Sequence, residues 1–154
     1  MSKKPPEKII ALMKKHQLSR DSLWDCHGTW VLLHKAIERL AAFENVHVDI
    51  ELIHHNQPEK MCIVKATAKR GDFVCSSFGE AAPYNNKNTY PIAMAEKRAI
   101  DRAVLKALHL HGDIYSEIDA DEFRKGASAQ AERPQRRNGK AAQDTFANMR
   151  KAAG

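Results

Sequence analysis

No run of apolar residues in this 154-residue chain approaches the 18 or so that a membrane-crossing helix needs. The opening residues, MSKKPPEKII, carry positive charge but neither an apolar stretch nor a small-residue cleavage site. A secretory signal is therefore not expected. Cysteine is scarce: Cys26, Cys62 and Cys75 are an odd count without framework spacing, and read as reduced thiols of a cytoplasmic protein. Aromatic residues make up only 6% of the chain, so core and surface must share them.

Catalytic and metal signatures are missing as well. Of eight histidines, five fall into the groups Cys26–His27, His54–His55 and His109/His111, none with a CxxC or HExxH pattern. Asp49 and Glu51 alternate on one strand as nuclease carboxylates do, but the following CIVKATAK segment supplies no Glu-x-Lys triplet. GxGxxG, GxxxxGK[ST] and GxSxG are absent. The expectation is a protein that is not an enzyme, with no metal and no cofactor.

What the chain does have is positive charge. Its formal net charge is +6, its isoelectric point is near 9.3 and its mean hydropathy is −0.55. These values favour a polyanionic partner and leave room for a solvated tail. The cations concentrate in residues 83–112 and beyond residue 126, with an acidic stretch between them.

Hydrophobic periodicity predicts an α+β domain. PPEKIIALMKKHQ reads as an N-terminal helix, and GTWVLLHKAIERLAAFEN as a second helix capped by Thr29. The period then changes to two. Val46, Val48, Ile50 and Leu52 alternate with His47, Asp49 and Glu51, the pattern of a half-buried strand. MCIVKATAK and FVCSSF follow as strands separated by the RGD turn, giving a three-stranded antiparallel β-meander. A long helix, PIAMAEKRAIDRAVLKALHLHG, completes a β-β-β-α core, opened by Pro91 and stopped by Gly112. Ser116 and Asp119 fit a capping box for a short acidic helix. Residues 1–28 are then an N-terminal helical segment, 29–125 the core, and 126–154 a flexible basic tail around Arg133, Arg136 and Arg137, with a weak helix near Phe146 and Met149.

The long helix carries the clearest functional signal. At about 100° per residue, Ile92, Ala93, Ile100, Ala103, Val104 and Ala107 gather on one side, and Arg98, Arg102 and Lys106 on another. That cation row has no acidic residue four positions away along its own line. An outward row of this kind suits a phosphate backbone, as an alternative to an ordinary solvated face. Lys65 and Lys69 share a parity on the second strand, Arg70 lies in the turn, and Lys87 in the loop before the helix. Phe78, Tyr84 and Tyr90 are candidates for stacking on bases, set against the alternative that they pack the core.

The succession WVLLHKAIERLA, VHVDIELI, KMCIVKATAK, FVCSSFGEA, YPIAMAEKRAIDRAVLKALHLHG resembles single-strand DNA annealing proteins of the Rad-fifty-two type, including phage and prophage recombination relatives. The likeness runs over residues 29–112 and rests on a helix, a curling meander, the Gly79–Glu80 junction, and a long helix with Glu96–Lys97 followed by Arg98, Arg102 and Lys106. The resemblance implies single-stranded DNA binding and ATP-independent annealing in recombination and repair. It further implies a homo-oligomeric ring or filament, in the cytoplasm of a bacterial or phage-infected cell. On that reading Lys65, Lys69, Arg70, Lys87, Arg98, Arg102 and Lys106 hold the DNA, and the tail recruits a single-strand-binding protein or an exonuclease. The loop GEAAPYNNKNTYP is longer than the family's tight junction. Two alternatives share parts of the pattern: a double-stranded-RNA-binding module of α-β-β-β-α order, and a non-enzymatic adaptor whose basic face only solubilises it.

Overall fold

The computed structural model describes residues 4–120. In chain order the elements are α1 (Glu7–Lys15), a 3₁₀ turn (Arg20–Ser22), β1 (Leu23–Cys26), β2 (Thr29–Leu32), α2 (His34–Phe43), β3 (His47–Asn56), β4 (Met61–Arg70), β5 (Phe73–Ala81), α3 (Pro91–Ala107) and β6 (Ile114–Ser116). The fold is α+β, with the expected antiparallel meander β3-β4-β5 packed against the long helix α3. No helix among the described residues is long and apolar enough to cross a membrane.

Helix α3 lies over β4 and β5 with unusual closeness. Ala95, Ala99, Ala103 and Ala107 recur every fourth residue and are fully buried, so no bulky side chain separates the helix backbone from the sheet. At the contact point the strand residue is Gly79. A Cβ built there would lie 2.0 Å from the Ala95 carbonyl oxygen and 2.4 Å from the Ala99 nitrogen. Cys62, Val64, Ala66 and Ala68 of β4 face the same interior, joined by Ile37 and Leu40 of α2 and by Ile9 and Met13 of α1. The N-terminal helix thus belongs to the same core as the meander.

A second, smaller sheet has the order β1-β2-β6 and bears on two expectations. Residues 29–32 form a strand, and α2 begins only at His34. The reason is the turn at His27 and Gly28, whose φ values of 54° and 86° suit the two-residue hairpin loop that pairs Cys26 with Thr29. The Asp25 carboxylate accepts the Gly28 amide at 2.6 Å and holds that turn. Likewise Ile114–Ser116, just ahead of the expected acidic helix, form a strand, and Ser116 holds the turn that leads to Ala120, the last described residue and already helical. Ser116 ends β6, which runs parallel to β2, and its hydroxyl accepts the Ile118 amide while donating to the buried Asp101. Asp101 also bonds His34 Nδ1 at 2.7 Å, tying α2, α3 and β6 together. Burial pushes the Asp101 carboxyl up despite those bonds, and the Asp101 bond raises His34.

The helices stop without glycine. Leu18, Val46 and Leu110 return their amides to Met13, Ala41 and Leu105, and the residue before each has positive φ: Gln17, Asn45 and His109. This is the Schellman geometry, and it ends α3 before Gly112. Strand β3 also departs from expectation. Val46 is buried, but Ile50 and Leu52 are 52% and 57% exposed although they share its apolar side. A helix roughly 10 Å across covers about two strands spaced near 4.8 Å, and α3 has taken β5 and β4.

Gly79→Ala is expected to cost about 2–3 kcal/mol, since the new methyl group forces helix and strand apart. The check is the urea midpoint at unchanged m value.

Candidate nucleic-acid interface

The cation row of α3 is engaged by the sheet: Arg98 is buried, and Arg102 and Lys106 are partly exposed. Arg98 is 2% exposed, and its guanidinium donates to the Glu80 carbonyl at 2.7 Å, to the Asn85 carbonyl at 2.7 Å and to Asn85 Oδ1 at 3.2 Å. Arg102 donates to the Phe78 carbonyl at 2.8 Å and grips both Asp119 carboxylate oxygens at 3.0 and 2.8 Å. Lys106 donates to the Ser76 carbonyl at 3.0 Å. Three cations four residues apart on the helix thus meet three carbonyls two residues apart on β5. Four helical residues rise about 6.0 Å and two strand residues about 6.8 Å, so the two rows stay in step.

These carbonyls belong to the free side of β5, the last strand of its sheet. The row serves to cap a sheet edge that would otherwise lack partners. The expected outward stripe is therefore corrected: Arg98, Arg102 and Lys106 are turned onto the edge of β5, because the edge carbonyls offer acceptors at matching intervals. Arg70 is also engaged. It donates to Glu44 Oε2 at 2.9 Å, while His16 and Lys15 meet Oε1 of the same carboxylate at 2.7 and 3.1 Å. The hydrogen bonds from His16 and Lys15, with Arg70 adding to them, hold Glu44 down at about 2, against an ordinary 4.5.

The remaining expected residues lie elsewhere. The face of β3-β4-β5 turned away from α3 is open. Register places Lys65 between Glu51 and Phe78, Thr67 between Asp49 and Ser76, and Lys69 between His47 and Val74. Lys65 is partly exposed and Lys69 exposed; none of the ion pairs found among the described residues includes either. The two ammonium groups stem from positions about 13 Å apart along β4. Phe78 is 53% exposed beside Lys65, and the Thr67 and Ser76 hydroxyls meet at 3.2 Å between the lysines.

Lys87, Tyr84 and Tyr90 are exposed in the loop that links β5 to α3. The loop is shaped by Asn85, whose Oδ1 accepts the Ala82 amide and whose amide donates to the Glu80 carbonyl, the group that Arg98 also holds. Asp49 and Glu51 border the open face on β3, and Glu80 lies at its end on β5. The two lysines of this face are therefore both on β4, with Phe78 beside them on β5 and the carboxylates Asp49 and Glu51 on the β3 side. One residue of this face was passed over in the sequence, Val74, which lies opposite Lys69.

Among the described residues no group of three His, Cys, Asp or Glu side chains converges as metal ligands. Tail residues Arg133, Arg136, Arg137, Phe146 and Met149 lie outside the described residues. No protein-family model, no curated protein and no solved structure matches this chain.

Arg98→Met leaves the Glu80 carbonyl and Asn85 without their donor and is expected to cost about 3 kcal/mol. Lys65→Ala and Lys69→Ala are expected to stay within about 0.5 kcal/mol of the parent, as surface changes do. Chemical denaturation of the three variants side by side checks this.

Glu44 sets an acid limit. Because its folded-state value is depressed, its contribution is complete above about pH 4.5 and is lost as pH falls toward 2. Melting temperatures measured over that window are expected to fall more steeply for the parent than for Glu44→Gln.

Proposed function

We propose that this protein binds single-stranded DNA on the open face of its three-stranded sheet and anneals complementary strands, without nucleotide hydrolysis and as an oligomer. The observation that carries this reading is the pairing of Lys65 with the exposed Phe78 across adjacent strands, continued by Lys69. An ammonium group beside an exposed ring is a place for a phosphate next to a base: the lysine neutralises the backbone, and the ring stacks on any base without regard to sequence. The loop bearing Lys87, Tyr84 and Tyr90 offers the same combination again.

Annealing asks for little more. A strand held by its phosphates and by one face of its bases keeps its pairing edges outward for a complementary strand. No phosphate-binding loop is needed, which agrees with the absence of one from the sequence. The reading also accords with the resemblance of residues 29–112 to annealing proteins of the Rad-fifty-two type, with the contacts moved from the outer side of α3 to the sheet. The setting proposed with it is a bacterial or phage-infected cell.

One observation favours a second reading. Helices α2 and α3 pack against each other around a three-stranded sheet in the order α-β-β-β-α, which is also the order of double-stranded-RNA-binding domains.

Affinities for single-stranded DNA, duplex DNA and duplex RNA across a salt series separate these readings. The expected result is a preference for single strands. Changing Lys65, Lys69 and Lys87 together to Ala is expected to flatten the log–log salt slope by about 2, at roughly 0.7 per phosphate contact. Phe78→Ala is expected to weaken binding by about 1–3 kcal/mol without changing that slope. Preference for duplex RNA would replace the proposal with the second reading. Failure to bind any of the three at low salt would leave an adaptor.

A further inference from the structure

The two outer strands of the main sheet are treated differently. On β5 the outward carbonyls of Ser76, Phe78 and Glu80 are taken by α3. In an antiparallel ladder the backbone groups of one residue point to the same side, and alternate residues point to opposite sides. Residues 76, 78 and 80 point away from β4, so their partners Thr67, Lys65 and Ile63 point toward β3, where they pair with Asp49, Glu51 and His54. The groups of β3 that point to the free side are then those of Val48, Ile50 and Leu52.

Those residues also carry the uncovered apolar side chains: Ile50 and Leu52 are more than half exposed. Long sheet edges are ordinarily guarded by Lys, Pro or a bulge. Between His47 and Leu52 there is neither lysine nor proline, and the single bulge comes after Leu52. Among the described residues the edge lies open, with its backbone and its apolar side chains unsatisfied on one stretch.

We propose that β3 is the surface through which two copies of this chain associate, edge to edge about a two-fold axis, forming one six-stranded sheet. A strand is what satisfies a strand edge, and the occupant is argued to be a second β3 because β5 cannot serve. Its edge is already occupied by Arg98, Arg102 and Lys106, so head-to-tail growth of the sheet is blocked and the like-with-like arrangement closes on itself. Charge selects the register. Centring the axis on Ile50 would set Asp49 directly against Glu51 of the second copy twice, and like charges directly opposite are unfavourable. Centring it on Asp49 sets His47 against Glu51 of the second copy twice, with Val48 against Ile50, at the cost of a single Asp49–Asp49 approach.

One consequence rests on the proposed function. The two-fold axis joins both open faces into one surface and makes the two β4 lysine strips antiparallel. Two complementary DNA strands have that same relative polarity.

Sedimentation of the full chain over a micromolar concentration series tests the interface. The expected result is a dimer for the parent and a monomer for Ile50→Lys, with an unchanged circular dichroism spectrum because Ile50 is not part of the core, and a melting temperature that no longer rises with protein concentration. Mild oxidation of Asp49→Cys is expected to give a covalent dimer: directly opposed residues of a non-hydrogen-bonded pair have Cα atoms about 4.5 Å apart, within disulfide reach. Val74→Cys, exposed on β5, and the parent with Cys26, Cys62 and Cys75 should give none. A parent that is monomeric throughout would overturn the proposal and leave the β3 surface to residues 121–154 or to another protein. A dimer that survives Ile50→Lys would overturn it too, by placing the contact elsewhere. Ile50→Lys should bind single strands with the parent's salt slope and lose annealing. A parent dimer that binds no DNA would sink the functional reading and leave the interface standing.

Discussion

The contact between α3 and β5 sets the rest of the molecule. It works at two levels, one apolar and one polar. The alanine row Ala95, Ala99 and Ala103 lets the helix backbone come down onto Gly79, where no side chain on either partner holds them apart. Beside it, Arg98, Arg102 and Lys106 reach over the strand and bond the carbonyls of Glu80, Phe78 and Ser76. Neither level suffices alone. A close helix without the cations would leave buried carbonyls unpaired, and cations on a more distant helix would not reach. The cost of burying the Arg98 charge is offset by three good acceptors, and Asp119 closes the row at Arg102.

Because the helix is anchored to one edge, the two sides of the sheet diverge in character. β4 and β5 receive the helix, so the small residues Ala66, Ala68, Ser77 and Gly79 are buried under it. β3 is left over, with apolar side chains that nothing among the described residues covers. The far face receives no helix and keeps its lysines, its hydroxyls and Phe78 in solvent. Both functional proposals follow from this asymmetry: a polyanion on the open face, and a second copy on the uncovered edge.

The sequence made much of this legible, and the failures have physical causes. The alternation of β3 and β4 identified the faces correctly, including the shared parity of Lys65 and Lys69. What it could not carry was which face a single helix would reach, so Ile50 and Leu52 were expected to be buried. The helical wheel of α3 set Arg98 on the outer side and Ile92 on the packed side, whereas Arg98 is buried and Ile92 is 46% exposed. It could not show that this row of cations finds its acceptors in a strand edge, since backbone carbonyls leave no mark in residue types. The clue was the alanine spacing beside Gly79, which signals an approach close enough for arginine to reach backbone. The misread start of α2 has a different origin. WVLL suits helix and strand alike, and the His27–Gly28 turn was the deciding local signal. The end of α3 was missed because His109 stands where glycine is usual.

The most direct test of the account is a side-chain NMR titration of the full chain with single-stranded DNA. It would follow arginine guanidinium, lysine methylene and Phe78 ring resonances together. The account predicts slowly exchanging guanidinium protons for Arg98 and Arg102, close in space to Glu80 and Phe78 before any DNA is added and undisturbed by it. Lys65, Lys69 and the Phe78 ring should move as DNA binds. Fast-exchanging guanidinium protons on Arg98 and Arg102 that shift on titration, with Lys65, Lys69 and Phe78 unmoved, would contradict both the edge cap and the assignment of the open face.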